Sequence, residues 1–359
     1  MIVLTPLLLA LAAPQADQIH TAAGDTVVGE VTAATLKAVD YRNARGEERS
    51  LAPAEVLSID YRPQPELYVK ARDFLEKQDF QNAVNGFDAA AREGGRWWLE
   101  PMCRLGRAET LLAWSAVDPG RAAEALEAYR EWLSRWPDSF HSIEARIGEA
   151  RALARTGQHD EAARRMEQLA SDAFRGNLGA HVEHRAQLVR CRILLEGGQA
   201  QVAETRLGDL IGKLEEDLRK QDLGQGARQL LRRLHASCQI ALGDARVARE
   251  GAARAASYWE GLLRRQGLAP DVRAAALIGL AQAAREEGQL REAQLRLAEV
   301  VATLHVQDPE VMARALFALG EVTAELDDTP TPSRDYFQQV VEDYPNTAWA
   351  LEARRRLGS

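Results

Sequence analysis

From about residue 65 onward, apolar residues recur at three- and four-residue spacing, which predicts amphipathic helices. Short phrases interrupt them. Gly-Gln-His-Asp-Glu-Ala (157–162) is echoed where Gly198 precedes Ala203, Gly243 precedes Ala248 and Gly288 precedes Ala293. Each phrase is expected to join two helices, with glycine ending the first in a left-handed conformation. Small residues also pair across these turns: Ala71/Ala83, Ala150/Ala162, Cys191/Ala203, Ala236/Ala248 and Ala281/Ala293. At that spacing two helices of a hairpin can touch closely. A bulky residue follows one turn later on the same face, at Phe87, Met166, Leu207 and Leu297. Self-similarity with a period of roughly 34 to 45 residues is the signature of a helical-hairpin solenoid.

Two copies depart from this rule. In the second, Gly106 and Ala125 lie further apart, so a longer helix or turn is expected; in the last, Gly320 pairs with Ser333 across an acidic connection. Both close on a proline phrase, Arg-Trp-Pro-Asp-Ser (135–139) and Asp-Tyr-Pro-Asn-Thr (343–347). There proline stops one helix and the following polar residues cap the next. The segment Ala348 to Leu357 reads as a lone helix covering the apolar edge of the last copy.

The chain before residue 65 has another rhythm. Gln18–Ala22, Thr26–Thr32, Leu36–Arg42, Glu48–Leu51 and Val56–Tyr61 are short runs rich in Val, Ile, Thr and Tyr, separated mostly by turn residues. Five short strands in so little chain predict a small five-stranded β-barrel. Residues 2–13 are almost wholly apolar but too short to span a membrane, and the run ends with small residues at Ala10 and Ala12. This predicts an export signal, although no Lys or Arg precedes the apolar run. No cysteine follows it, so a lipoprotein ending is not expected.

The helical pattern resembles the tetratricopeptide repeat (TPR) family over roughly residues 65–359, with about seven copies and a C-terminal capping helix. The Gly-Asp-Thr-Val-Val-Gly-Glu-Val rhythm (24–31) looks like the SH3-like or Sm-like barrels that precede some exported bacterial proteins. The expected organisation is therefore a signal at 1–16, the barrel at 17–62 and a right-handed TPR superhelix at 63–359. The resemblance implies that the first helix of each repeat lines a concave groove, and that the residue after its small position points inward. That residue is Arg72, Arg107, Arg151 and Arg192 in the first four copies, then Ser237, Gln282 and Glu321. Tyr68, Ile147, Arg155 and Leu188 share the face. An arginine ladder favours a protein or peptide partner that carries carboxylates. Ion pairing with nearby glutamates is the alternative.

Composition narrows the choice. The 359 residues carry a formal net charge of −8. With few lysines and an acidic barrel, a nucleic-acid partner is not expected. Only five of the 45 basic residues are Lys, and Arg is the side chain that grips carboxylates in bidentate fashion. Cys103, Cys191 and Cys238 are read as core residues, with a Cys191–Cys238 bridge as the alternative. The chain contains no Gly-x-Ser-x-Gly, no phosphate-cradling loop ending in Lys-Ser/Thr and no His-Glu-x-x-His. His181 and His184 lie one turn apart, but no third metal ligand is evident nearby. No catalytic residue, cofactor or metal is therefore expected. The Tyr-Pro-Asn-Thr ending is similar to TPR proteins of bacterial outer-membrane assembly and of the Tol–Pal machinery. The expectation is an exported, periplasmic or envelope-associated adaptor, not membrane-spanning, which binds its partner in the groove. The alternatives are a self-assembling structural protein, as a homo-oligomer, and an accessory factor whose barrel binds peptidoglycan.

Overall fold

A computed structural model describes residues 16–326 and 331–358. The expected signal lies outside them apart from its last residue, as does most of the acidic connection before Ser333. The described chain is a small antiparallel sheet followed by a long array of helices.

The strands are β1 (Asp17–Thr21), β2 (Thr26–Ala34), β3 (Val39–Arg42), β4 (Glu48–Leu51) and β5 (Val56–Asp60). Their order is β4-β3-β2-β1-β5, and every neighbouring pair is antiparallel. Ile19 stands opposite both Val27 and Ile59, and Tyr41 opposite both Val31 and Arg49. A register shift between Val31 and Ala33 lets β2 serve both halves. The expected closed barrel is not formed. The sheet is open, with β4 and β5 as its edges, although only a single 3-10 turn at Pro53–Glu55 separates them. The reason lies in β4, whose Glu48, Arg49 and Ser50 are exposed: it has no apolar face to bury by closing.

The helices are α1 (Glu66–Glu76), α2 (Phe80–Glu93), α3 (Leu99–Trp114), α4 (Arg121–Arg135), α5 (Ser142–Arg155), α6 (His159–Arg175), α7 (Ala180–Glu196), α8 (Ala200–Arg219), α9 (Gln225–Glu250), α10 (Ala252–Leu263), α11 (Pro270–Glu286), α12 (Leu290–Thr303), α13 (Pro309–Leu326), α14 (Thr331–Asp343) and α15 (Ala348–Leu357). Each packs on its chain neighbours, and each odd-numbered helix also touches the next odd-numbered one. The small positions Ala71, Ala83, Ala150, Ala162, Ala203, Ala281 and Ala293 and the bulky Phe87, Met166, Leu207 and Leu297 are all buried. Gly157, Gly198 and Gly288 end helices with φ of 80°, 77° and 77°, the left-handed region that glycine enters without strain. In α15, Thr347 caps the N-terminus by accepting from the Ala350 amide at 3.3 Å.

One of the expected turns is instead a helix interior. Gly243 lies within the unbroken α9, and the chain turns at Gly251, with φ of 85°. A Cβ at Gly243 would lie 1.9 Å from the Trp259 ring, so this glycine makes room for an indole. Gly106 likewise faces Phe87, Gly148 faces Tyr129, Gly279 faces Trp259 and Gly320 faces Phe337. These glycines seat an aromatic ring between helices. In α3 both Gly106 and Ala108 are buried, and the residue that reaches the cavity is Glu109 rather than Arg107.

The sheet is not a free-standing bead. Its core residues Ile19, Val31, Val39 and Val56 run into Tyr61, Tyr68, Phe87, Trp98 and Cys103 of the helices. Asp17 is fully buried and accepts from the Val31 amide (2.8 Å), the Arg62 amide (2.6 Å) and both terminal nitrogens of Arg96 (3.0 and 2.6 Å). Tyr61 stacks on Trp98 with ring centroids 4.7 Å apart, and its hydroxyl meets His141 Nε2 at 2.9 Å. Backbone bonds join Leu36 to Asp138, Phe140 to Ala34, Gln225 to Ala23 and Ala227 to Ala22. The sheet thus lies against the N-terminal ends of α3, α5 and α9.

Candidate ligand cavity

A cavity of about 750 Å³ lies among the described residues. The sheet contacts the beginnings of odd-numbered helices; the cavity is lined mainly by their later turns. Leu75 and Glu76 come from α1, Glu109, Leu112 and Ala113 from α3, Ile147, Arg151 and Arg155 from α5, and Arg192 and Glu196 from α7. The opposite wall is the distant end of the chain, with Glu310 and residues 345–348, Leu351 and Arg354. Phe80 completes an apolar stretch with Leu112, Ile147 and Leu351.

The two ends of the helical array meet here. Asn346 Nδ2 donates to the Glu76 carbonyl at 3.1 Å, and Arg354 donates to Gln78 Oε1 at 2.7 Å. The Gln78 amide in turn donates to the Pro345 carbonyl. Gln78 holds a positive φ of 59° at the α1–α2 turn, which aims its side chain from a tight bend.

The guanidinium groups of Arg151, Arg155 and Arg192 line this space, and among the described residues no hydrogen bond or ion pair within 4.0 Å engages them. Many arginines elsewhere are matched. Arg185 grips Glu144 in a bidentate pair (2.7 Å for one arm), Arg314 meets Asp244 at 2.7 Å, and Arg285 pairs with Glu321 at 2.8 Å. The Arg151 pKa is held below its ordinary value, first by burial and then by repulsion from Arg185 and Arg192. Its positive charge is therefore under-compensated. Glu109 is pushed up to about 7, by burial first and then by Glu144, against the pull of Arg72, Arg151 and Arg185. Its carboxylate keeps open surface, but that surface faces the cavity and is ringed by protein, so desolvation still acts on it. Burial also raises the Glu310 pKa, although this carboxylate accepts from the Ala348 amide at 3.1 Å.

Of the expected groove residues, Arg151, Arg155, Arg192 and Ile147 come together at the cavity. Arg72 lies close enough to Tyr68 and to Glu109 to act electrostatically on both. Tyr68 is core, packed on Phe87 and Trp98, and Leu188 is buried at 4% exposure. Arg107 lies away from the cavity, 3.4 Å from Asp88 of α2 and beside Trp132 and Trp136. Glu109 was legible only through the correct register of α3. The C-terminal wall has no local sequence signal, because it depends on how far the whole array curves.

The remaining candidates are accounted for by packing. Cys103, Cys191 and Cys238 are free and buried, and burial raises all three thiols, Cys191 to about 11 and the other two to about 12. His184 Nε2 meets Asp217 at 2.6 Å, and His181 is held down to about 4 by burial. No cluster of three or more potential metal ligands occurs among the described residues. No helix there is long and apolar enough to cross a membrane. No family model matches the chain, and no curated protein matches its sequence.

Proposed function

We propose that this is a non-enzymatic binding protein: a TPR-type right-handed superhelix, exported to the cell envelope, that holds the carboxylate-bearing part of a protein partner in its concave cavity. The observation that carries this reading is the set of unmatched guanidinium groups at Arg151, Arg155 and Arg192 in a chain whose other arginines are largely paired. An arginine cluster with no carboxylate of its own gains most from one supplied by a ligand, which it can bind bidentately. The superhelix assignment is supported by contacts between successive odd-numbered helices and by the glycine-on-ring packing repeated along the array.

The test is comparative crosslinking and pull-down from envelope fractions with the full chain and its Arg151→Gln/Arg192→Gln variant. The expected result is a partner captured by the parent chain and weakened about tenfold or more in the variant, with helicity unchanged. Losing two charge-assisted contacts of roughly 1.5–3 kcal/mol each, less screening, allows that drop. Equal capture by both chains would place the partner elsewhere.

A further inference from the structure

The wall that closes the cavity limits what can occupy it. A groove that accepts a running polypeptide must be open at both ends. Here the α1–α2 turn is bonded to residues 345–354 through Gln78, Asn346 and Arg354. The cavity volume of about 750 Å³ falls within the usual range for small-molecule sites. Its lining is two-sided: arginines on α5 and α7, apolar side chains at Phe80, Leu112, Ile147 and Leu351. Charge and size together specify a ligand with one anionic head and an apolar body.

We infer that in its closed form the cavity binds a compact amphipathic carboxylate, an organic acid of small-molecule size, with the carboxylate on Arg151 and Arg192, the body against Leu112, Ile147 and Leu351, and the 345–354 segment closing over it. The inference shares with the proposed function only the arginine cluster. It does not require a protein partner.

The acidic side chains of the wall set the selectivity. Glu109, Glu196 and Glu310 discourage a polyanion, so one carboxylate is favoured over a phosphate or a tricarboxylate. Glu109 also faces the arginine cluster, alongside Glu144 of α5, Arg72 of α1 and Arg185 of α7. A carboxylate seated beside it adds negative charge there and favours protonation of Glu109, so the complex should form with proton uptake near neutral pH.

The test is titration calorimetry on the full chain with decanoate and 4-phenylbutanoate as probes, and with acetate, decanol, decyltrimethylammonium and citrate as controls. The expected result is one-to-one binding of at least one probe, no measurable binding of the controls, and a loss of tenfold or more in Arg151→Gln/Arg192→Gln. Circular dichroism confirms that the variant is folded. Leu351→Asn should weaken the probes while leaving the arginines in place. Gln78→Ala, which removes two of the joining bonds, should speed probe release. If neither probe binds with a Kd below about 1 mM, the inference is overturned. Equal binding by the parent and the arginine variant also overturns it. A captured protein partner that depends on Arg151 and Arg192, with both probes silent, would overturn the small-ligand inference and leave the proposed function standing. Probe binding without any such partner would do the reverse.

Discussion

Among single residues, Glu109 and His141 make opposite demands on pH. Glu109 in the folded chain is raised to about 7, above the ordinary carboxylate range, so the folded state holds its proton more tightly than the unfolded chain does. Its contribution to stability is therefore greatest in acid and falls as pH rises toward 7. His141 is held down to about 4, chiefly by burial against the sheet, so the unfolded chain takes up its proton first. That contribution is complete above about pH 6.5 and is lost as pH falls toward 4. His181, also about 4, acts in the same direction. Glu109→Gln should remove the falling limb, leaving a denaturant midpoint that rises steadily from pH 4 to 6.5 and a chain more stable at pH 8 than the parent. Parallel pH profiles for the two chains would show that Glu109 titrates as an ordinary surface carboxylate.

The helices meet through glycines, and the glycines are not equivalent. Gly243 is a seat for Trp259, whereas Gly208 in α8 has nothing within 4 Å of where a Cβ would stand. Gly208→Ala should stabilise by up to about 1 kcal/mol through helix propensity. Gly243→Ala gains the same propensity but forces the indole to move, at a cost of roughly 1–3 kcal/mol from overpacking. The two variants should shift the urea midpoint in opposite directions. A stabilised Gly243→Ala chain would mean that Trp259 does not rest where the packing puts it. By the same reasoning Ala162→Leu, at a fully buried contact, should cost roughly 1–3 kcal/mol.

At the scale of the molecule, two long-range attachments decide the shape of the binding region. One is Asp17, which ties the sheet to the start of α3 through Arg96. Asp17→Asn keeps the size but removes the charge from a fully buried acceptor of four hydrogen bonds. Breaking such a pair typically costs about 3–5 kcal/mol. Because the sheet and α1–α3 share one core, the loss should appear as earlier unfolding of both, read as hydrogen exchange in β1 and in α3 together. Exchange confined to the sheet would show that it unfolds as a separate unit. The other attachment joins residues 76–78 to 345–354 and gives the cavity its far wall.

Much of the secondary structure was legible in the residues themselves. The strands at 26, 48 and 56 begin where the Val/Ile/Thr runs begin, and the hairpins turn at Gly157, Gly198 and Gly288, because these features depend on period-two or period-3.6 patterning and on a left-handed residue. The same local logic misread Gly243 as a turn. Glycine is used both where the backbone must turn and where a neighbour's ring must approach, and at Gly243 only the position of Trp259 distinguishes the two. Taking Gly106 rather than Ala108 as the small position of α3 carried the inward position to Arg107 when it belongs to Glu109. The open edge at β4 follows from its polar residues, but closure of a sheet depends on what its other strands bury, which alternation alone does not specify. Sequence by itself determined the helical hairpins, the strands and the arginines available to a ligand. Tertiary structure alone decided that Arg151, Arg155 and Arg192 stand unmatched while Arg107, Arg285 and Arg314 are neutralised. It also brought residue 346 to residue 76. Both outcomes depend on small rotations between successive helices summed over the whole array, a quantity that no local stretch of sequence contains.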